Sequence, residues 1–197
     1  MRTRRGGCIL SDVTFAALAG GDQKRPDFEK LFKGVGDMSL IERTMVLGSK
    51  LCSDVLIVSD MKAHFKNLGF KVVCERADGC GPLVGIESAL IHAYHPWVIV
   101  VAADMPNLEM SMFMELAQAR SENYGAVAFR HNDLIDPLCA MYHISLTDMI
   151  TAMLEEGESD PRAIFDRADS MILDWAGDED RFIKVRGKPV KVCHRSV

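Results

Sequence analysis

The chain has 197 residues, 48% of them hydrophobic and 26% charged, which suits a single domain with a substantial buried core and no need of disulfides. Its formal net charge of −5 argues against a general nucleic-acid or membrane-surface binder, although both ends are locally basic, and no apolar run reaches membrane-spanning length or forms a secretory signal. The six cysteines contain no CxxC pair, so neither a zinc site nor a disulfide framework is indicated, and a reducing cytoplasm is the expected location.

The first predicted strand begins at Val13, after a loose lead-in of residues 1–12, and it ends in the glycine pair Gly20 and Gly21. A polar stretch that carries Arg25 and Lys30 follows it. Glycine lets backbone amides approach a ligand closely, and basic side chains neutralise anions, so this pattern indicates phosphate binding. An ordinary strand-to-helix turn with a solvated basic face would give the same pattern.

The next predicted elements alternate between helices and strands. A helix over residues 39–51 should begin with a capping box formed by Ser39 and Glu42, and Met38 is among its candidate buried residues. After it we expect a strand at 54–59, a helix at 61–68 that ends at Gly69, a strand at 71–75, a glycine-rich stretch and a helix at 85–94.

The most apolar predicted strand covers residues 97–103 and should lie at the centre of the sheet. Asp104 follows it directly. Open α/β sheets bind ligands at the carboxyl ends of their strands, so Asp104 is the acidic residue that most strongly indicates a ligand site. A helix cap or an ordinary loop acid is the simpler alternative.

The remaining pattern predicts helices at 108–122, 145–155 and 160–168, strands at 125–130, 137–142 and 170–175, a polar loop at 131–136, and a basic hairpin within residues 181–197. Strands that alternate with helices through residue 122 predict an α/β fold. We expect a Rossmann-like, doubly wound, mostly parallel sheet with helices on both faces and a small C-terminal β-hairpin, in one domain over residues 1–197.

Three segments of this chain resemble the molybdenum cofactor guanylyltransferase family, within the nucleotide-diphospho-sugar transferase superfamily. Residues 18–21 match the LAGG with which the family opens, and the spacing from Arg25 to Lys30 matches its next motif. Residues 81–85, GPLVG, differ from the GPLAG of the family at one position, and Asp104-Met105-Pro106 matches its Asp-x-Pro. The three motifs keep their order and spacing from about residue 13 to residue 165.

The resemblance implies a single nucleotidyltransferase domain that uses Mg²⁺ to move GMP from GTP to the terminal phosphate of molybdopterin cofactor, with release of pyrophosphate. Arg25 and Lys30 would then hold the triphosphate, and Asp104 would bind the metal. The other residues implied to contact the nucleotide are Leu18, Ala19, Gly20, Gly21, Glu75, Gly81, Pro82 and Leu83. Molybdoenzymes or cofactor-delivery proteins would be its partners.

Two other departures from the family pattern bear on the function of the chain. Asp27 stands where the family has a glycine in the loop that faces the phosphates. We assign residues 174–180 as the counterpart of a C-terminal family segment that contains two asparagines, and both are absent here. These departures leave three alternatives open: a different phosphorylated acceptor, CTP as the donor, or a non-catalytic nucleotide-binding relative that acts in cofactor delivery.

Overall fold

A seven-stranded sheet forms the centre of the computed structural model, which describes residues 8–20, 29–32, 34–35, 37–74 and 81–185. In spatial order its strands are β5 (Lys71–Val73), β4 (Cys52–Val58), β1 (Leu10–Leu18), β6 (Trp97–Ala102), β8 (Leu134–His143), β7 (Ala126–His131) and β9 (Ser170–Asp174). Strand β8 is antiparallel to both of its neighbours, and the other six strands share one direction. The predicted mostly parallel sheet with a central β6 is therefore confirmed.

Six helices and a small second sheet complete the described elements. The helices are α1 (Leu40–Leu51), α2 (Lys62–Phe65), α3 (Pro82–His92), α4 (Met110–Gln118), α5 (Thr147–Glu155) and α6 (Ile164–Arg167). The second sheet pairs β2 (Gly34–Val35) with β3 (Met38–Ser39). Short 3-10 helices cover Glu29–Phe32, Lys66–Leu68, Ile144–Leu146, Pro161–Ala163 and Glu179–Phe182.

The core has two layers, one on each face of the sheet. Successive residues of a strand point to opposite faces, so Ile99 and Val101 of β6 pack against α1 and α4, whereas Val98 and Val100 pack against α3 and α5. All four side chains are fully buried. Helices on both faces of a mostly parallel sheet give the doubly wound architecture that the sequence predicts.

The start of α1 confirms the predicted capping box. The Ser39 hydroxyl accepts a hydrogen bond from the Glu42 backbone N–H, and the Glu42 carboxylate accepts one from the Ser39 N–H at 2.7 Å. The prediction that Met38 is buried is wrong, because Met38 lies in β3 before the cap and its side chain is 42% exposed.

Two predicted boundaries lie too late in the chain. Strand β1 begins at Leu10 rather than Val13, so residues 10–12 of the expected lead-in belong to the sheet. Helix α3 begins at Pro82, three residues before the predicted start, because the fixed φ of proline suits the first helical position and its missing N–H has no partner to lose there.

Two predictions about the second half of the chain need correction. The six-residue loop at 131–136 is instead a tight turn at Asn132 and Asp133, which have φ values of 48° and 60°; asparagine and aspartate tolerate this left-handed region better than most residues. The C-terminal hairpin is not confirmed, since Arg181 and Phe182 lie in a 3-10 helix. The predicted turn of that hairpin, at 186–188, lies outside the described residues.

None of the helices in the described part of the chain is long and apolar enough to cross a membrane.

Candidate active site

The connections between strands create a crevice at one edge of the sheet. From β1 the chain passes to β4 and β5 on one side, and it then returns to β6 on the other side of β1. In doubly wound sheets, the carboxyl ends of the two strands at such a reversal form the usual ligand site. Leu18 and Ala102 are the last paired residues of β1 and β6, so the chains that follow them emerge side by side. We call the end of the sheet where the parallel strands finish the carboxyl edge. The opposite end, where these strands begin, is the amino edge.

The segment after β1 leaves the sheet from a fixed position. Ala19 is buried, its N–H donates to Val58 O at 2.9 Å, and its carbonyl accepts from the Ser59 hydroxyl at 3.0 Å. Gly20, the next residue, is exposed. The backbone therefore becomes accessible at the first glycine of the pair. Gly21 and Arg25, which the sequence also assigns to this site, lie outside the described residues.

Lys30 lies in the short helix Glu29–Phe32, which hydrophobic neighbours hold in place. Leu31 is buried in the core. The Phe32 ring packs against Phe65 of α2, with ring centroids 5.5 Å apart. These contacts fix the backbone that carries Lys30.

The segment Gly81–Leu83 starts α3 at the same edge, because a crossover helix begins where the preceding strand ends. Gly81 has φ 97° and ψ 175°, a region that is almost exclusive to glycine. Pro82 is the first helical residue, and Leu83 is fully buried. Glycine at position 81 therefore permits the sharp entry into α3, whose first-turn N–H groups have no intrahelical partners. Glu75 lies outside the described residues.

Asp104 follows β6 on a well-fixed loop. Ala103 N donates to Leu18 O at 3.0 Å, and Asp104 O accepts from Val185 N at 2.9 Å. The helix-cap alternative for Asp104 is wrong, because α4 begins at Met110 and its cap residue is Glu109. The structure thus brings Leu18, Ala19, Gly20, Gly81, Pro82, Leu83 and Asp104 to one edge of the sheet.

A C-terminal segment that overlaps the assigned counterpart 174–180 also lies at this edge. We call residues 178–185 the C-terminal strap. Its Val185 is the residue that bonds to Asp104. Two more polar contacts tie the strap to the same loop: Asn107 Nδ2 donates to Asp180 O at 2.8 Å, and Arg181 pairs with Glu109 at 2.8 Å.

An aromatic cluster anchors the strap to the sheet. Phe182 is buried, and its ring stacks on the His131 imidazole with centroids 4.0 Å apart and an interplanar angle of 11°. Phe129 and Trp175 pack against the same ring at 5.9 and 5.6 Å. The phenylalanine in an otherwise polar stretch was the one sequence signal for this docking.

Lys184, near the end of the strap, lies close to Asp136 of β8. The Asp136 side chain is only 8% exposed, and its Oδ1 accepts from Leu138 N at 2.8 Å. Its Oδ2 lies 3.7 Å from Lys184 Nζ and 3.9 Å from His131 Nε2. By contrast, Asp174 is exposed and pairs with Arg130 at 2.7 Å. Val185, which bonds to Asp104, lies farther along the chain than the assigned segment 174–180.

The buried thiols are not suited to nucleophilic chemistry. Burial, with smaller contributions from Cys8, Asp54 and Asp12, raises the pKa of Cys52 to about 12. Burial, with a contribution from the charge of Asp136, also raises the pKa of Cys139 well above its ordinary value. Both thiols stay neutral near pH 7 and serve as apolar core groups.

A cavity of about 690 Å³ opens at the amino edge, lined among others by Trp97, Arg120, Tyr124 and His143. It contains none of the residues that the sequence analysis assigned to the site. Within the described ranges, no three His, Cys, Asp or Glu side chains are grouped so that they could hold a metal ion.

The fold and its switch point define a doubly wound α/β protein in which Gly20, Gly81 and Asp104 lie together at the carboxyl edge. The chain belongs to the MobA-like NTP transferase family, whose sequence model matches residues 16–171. The family resemblance drawn from the three motifs is therefore confirmed.

The names of related proteins are consistent with this family. The chain is 33% identical over 152 residues to a probable molybdenum cofactor guanylyltransferase of Opitutus terrae, with 75% of each chain covered. It is 32% identical over 136 residues to one of Clostridium perfringens, with 68% of each covered. The crystal structure of molybdopterin-guanine dinucleotide biosynthesis protein A from Archaeoglobus fulgidus superposes with a TM-score of 0.69 and 22% identity, covering 82% of this chain and 83% of that one. That structural likeness shows the shared fold.

Proposed function

We propose that this protein is a Mg²⁺-dependent guanylyltransferase that moves GMP from GTP to the terminal phosphate of molybdopterin cofactor. The observation that carries the proposal is the convergence of the segments 18–20 and 81–83 with Asp104 at the switch point of the sheet. The names of the relatives support the same reaction. Molybdoenzymes or cofactor-delivery proteins in the cytoplasm would receive the product.

In the reaction, an oxygen of the acceptor phosphate forms a bond to the α-phosphorus of GTP. The bond from that phosphorus to the oxygen bridging to the β-phosphate breaks, and its electrons leave with pyrophosphate. Both reactants are anionic, so catalysis consists mainly of positioning them and compensating their charge.

The donor side of the site lies around β1 and α3. The backbone of Leu18–Gly20 and of Gly81–Leu83 would line the guanine, with Gly21 and Glu75 completing the nucleotide contacts. The N-terminus of α3 carries a partial positive charge that favours anionic or polar ligands. Arg25 and Lys30 would neutralise the triphosphate and hold it in line with the acceptor.

The place and chemistry of Asp104 fit a magnesium ligand. Mg²⁺ in nucleotide sites is usually held by one or two carboxylates together with phosphate oxygens. Asp104 supplies a carboxylate, and its backbone carbonyl is already bonded to Val185 N. When bound, Mg²⁺ would stabilise the charge that develops on the departing pyrophosphate. The protein's part is to hold the Asp104 carboxylate on a fixed loop between β1 and β8.

The first test is a calorimetric titration of the purified protein with GTP, CTP, ATP and UTP, each with and without Mg²⁺. We expect binding that is selective for GTP and requires Mg²⁺. A second assay then measures pyrophosphate release from GTP in the presence of molybdopterin cofactor. Selective binding of CTP would contradict the guanylyl assignment. Binding of none of the four nucleotides would contradict the transferase assignment as a whole.

A further inference from the structure

We propose that Lys184 binds the phosphate of the acceptor substrate and so sets the affinity of the enzyme for its acceptor. The inference rests on the proposed transferase function, and it adds a residue on the side of Asp104 that faces away from the nucleotide loops.

The topology separates a donor side from an acceptor side. Strand β6 lies between β1, which carries the nucleotide loop Leu18–Gly20, and β8. Because β8 is antiparallel, it begins at the carboxyl edge. The last pair of the β6–β8 ladder is Val101 with Cys139, and Asp136 precedes it on β8, where β8 bulges against β7 between Asp136 and Ala140. Asp136 therefore lies on the β8 side of Asp104, away from the nucleotide loop on β1, and we take this side as the acceptor side.

Lys184 is tied to both of these acids. Its Nζ lies 3.7 Å from Asp136 Oδ2, and the next residue in the chain, Val185, donates its N–H to Asp104 O. The ammonium group is thus held on the acceptor side, one residue away from a hydrogen bond to the proposed metal ligand.

The pairing of Lys184 leaves its charge available to a ligand. Two arginines of the same edge make close ion pairs, Arg130 with Asp174 at 2.7 Å and Arg181 with Glu109 at 2.8 Å. The Lys184 contact, at 3.7 Å, is longer than a hydrogen bond, and its side chain is 35% exposed. An incoming phosphate offers more negative charge and more acceptor oxygens than the single Asp136 carboxylate oxygen, so it can draw the ammonium group to itself.

The anchoring of the strap keeps Lys184 in position before the acceptor arrives. Phe182, two residues earlier, is buried and stacked on His131. Asp136, whose Oδ1 is fixed by Leu138 N, holds the ammonium group at the edge of the crevice. A cation that is already placed loses little conformational freedom on binding, which favours affinity.

The test compares Lys184→Met, Lys184→Arg and the wild type in steady-state kinetics with GTP and molybdopterin cofactor. Lys71→Met serves as the matched control, since Lys71 is an exposed lysine at the amino edge that bonds to His92 O. We expect Lys184→Met to raise the KM for the acceptor by about tenfold or more, as loss of a charged hydrogen bond does, while the calorimetric Kd for GTP stays within about twofold. Lys184→Arg should recover part of the acceptor affinity, and Lys71→Met should behave as the wild type.

An unchanged acceptor KM in Lys184→Met would overturn the proposal. A weaker Kd for GTP with an unchanged acceptor KM would instead assign Lys184 to the donor and also overturn it. If Lys184→Met melts at a lower temperature than the wild type, Lys184→Gln, which keeps a polar end, is judged by the same criteria. Failure of the transferase function itself would be seen in the wild type, as absent GTP binding or absent turnover, before any variant is compared.

Discussion

The two edges of the sheet carry different features among the described residues: a cavity lies at one and the family motifs lie at the other. At the amino edge a cavity of about 690 Å³ is bordered by charged groups that pair with each other, such as Arg120 with Asp12 at 3.0 Å. At the carboxyl edge the backbone is fixed by hydrogen bonds, while Gly20, Gly81 and Pro82 are exposed. The described family motifs converge on this second edge. The cavity and the family motifs therefore lie at opposite ends of the parallel strands.

The largest effect is expected in a matched pair of substitutions, one at each edge of the sheet. Asp104→Asn removes the proposed metal carboxylate with little change in volume and should lower turnover by at least about 100-fold without lowering the melting temperature. Asp12→Asn, at the amino edge, should keep wild-type turnover. Pyrophosphate release measures both variants. Wild-type activity in Asp104→Asn would contradict the proposal that Asp104 binds the metal ion.

The next effect concerns the cation on the donor side. Lys30→Ala should weaken GTP binding by about tenfold to hundredfold, the usual loss for a charged hydrogen bond, and should lower turnover. Lys50→Ala is the control, since Lys50 is exposed in the last turn of α1, toward the amino edge. Calorimetry with GTP and Mg²⁺ measures both. Equal GTP affinity in the two variants would mean that Lys30 does not contribute to GTP binding.

A glycine substitution can show whether the entry to α3 serves the ligand or only the fold. Gly81→Ala puts a side chain at φ 97° and should lower the free energy of unfolding by about 1–3 kcal/mol, and it should weaken GTP binding because the segment shifts. Gly69→Ala is also strained, at φ 73°, but lies at the amino edge, where an added Cβ meets nothing within 4 Å. Urea denaturation and calorimetry compare them. Similar stability losses with unchanged GTP affinity in both would make Gly81 purely structural.

The smallest effect is expected at the amino edge itself. Asp12→Ala removes the ion pair with Arg120; the Asp12 side chain is 62% exposed, so the stability loss should be no more than about 1 kcal/mol. Turnover should stay at the wild-type level. Urea denaturation and pyrophosphate release are the measurements. A clear fall in turnover would show that the amino edge also takes part in function, contrary to the expectation that the carboxyl edge alone does.

The parts of the fold that sequence could predict are those that local chemistry determines. Ser39 and Glu42 form a capping box whose spacing is visible in the sequence, and the β-branched run of β6 could only be a buried strand. The donor side of the site was equally visible, because its glycines and Asp104 occur in short motifs with fixed spacing.

The parts that sequence missed depend on contacts between distant residues. Residues 131–136 are polar and therefore resemble a loop, yet His131 and Asp136 end up in strands because the strap covers them. Phe182 gave a weak sign of this, since one buried ring in a polar segment does not indicate its partner. The proposed role of Lys184 in acceptor binding therefore rests on contacts that only the tertiary structure shows.

The strap, whose Val185 donates a hydrogen bond to Asp104, is synthesised later than the segments that it contacts. The chain is made from its N-terminus, so the segments at 18–20, 81–83 and 104 leave the ribosome well before residues 178–185. The nucleotide-facing loops can thus take shape on the nascent chain while the edge of β7 and β8 is still bare, and closing the strap over Phe129 and His131 is a late, long-range step. Translation that stops between β9 and the strap would yield a sheet with its donor half built and an exposed aromatic surface, a natural target for chaperones and proteases.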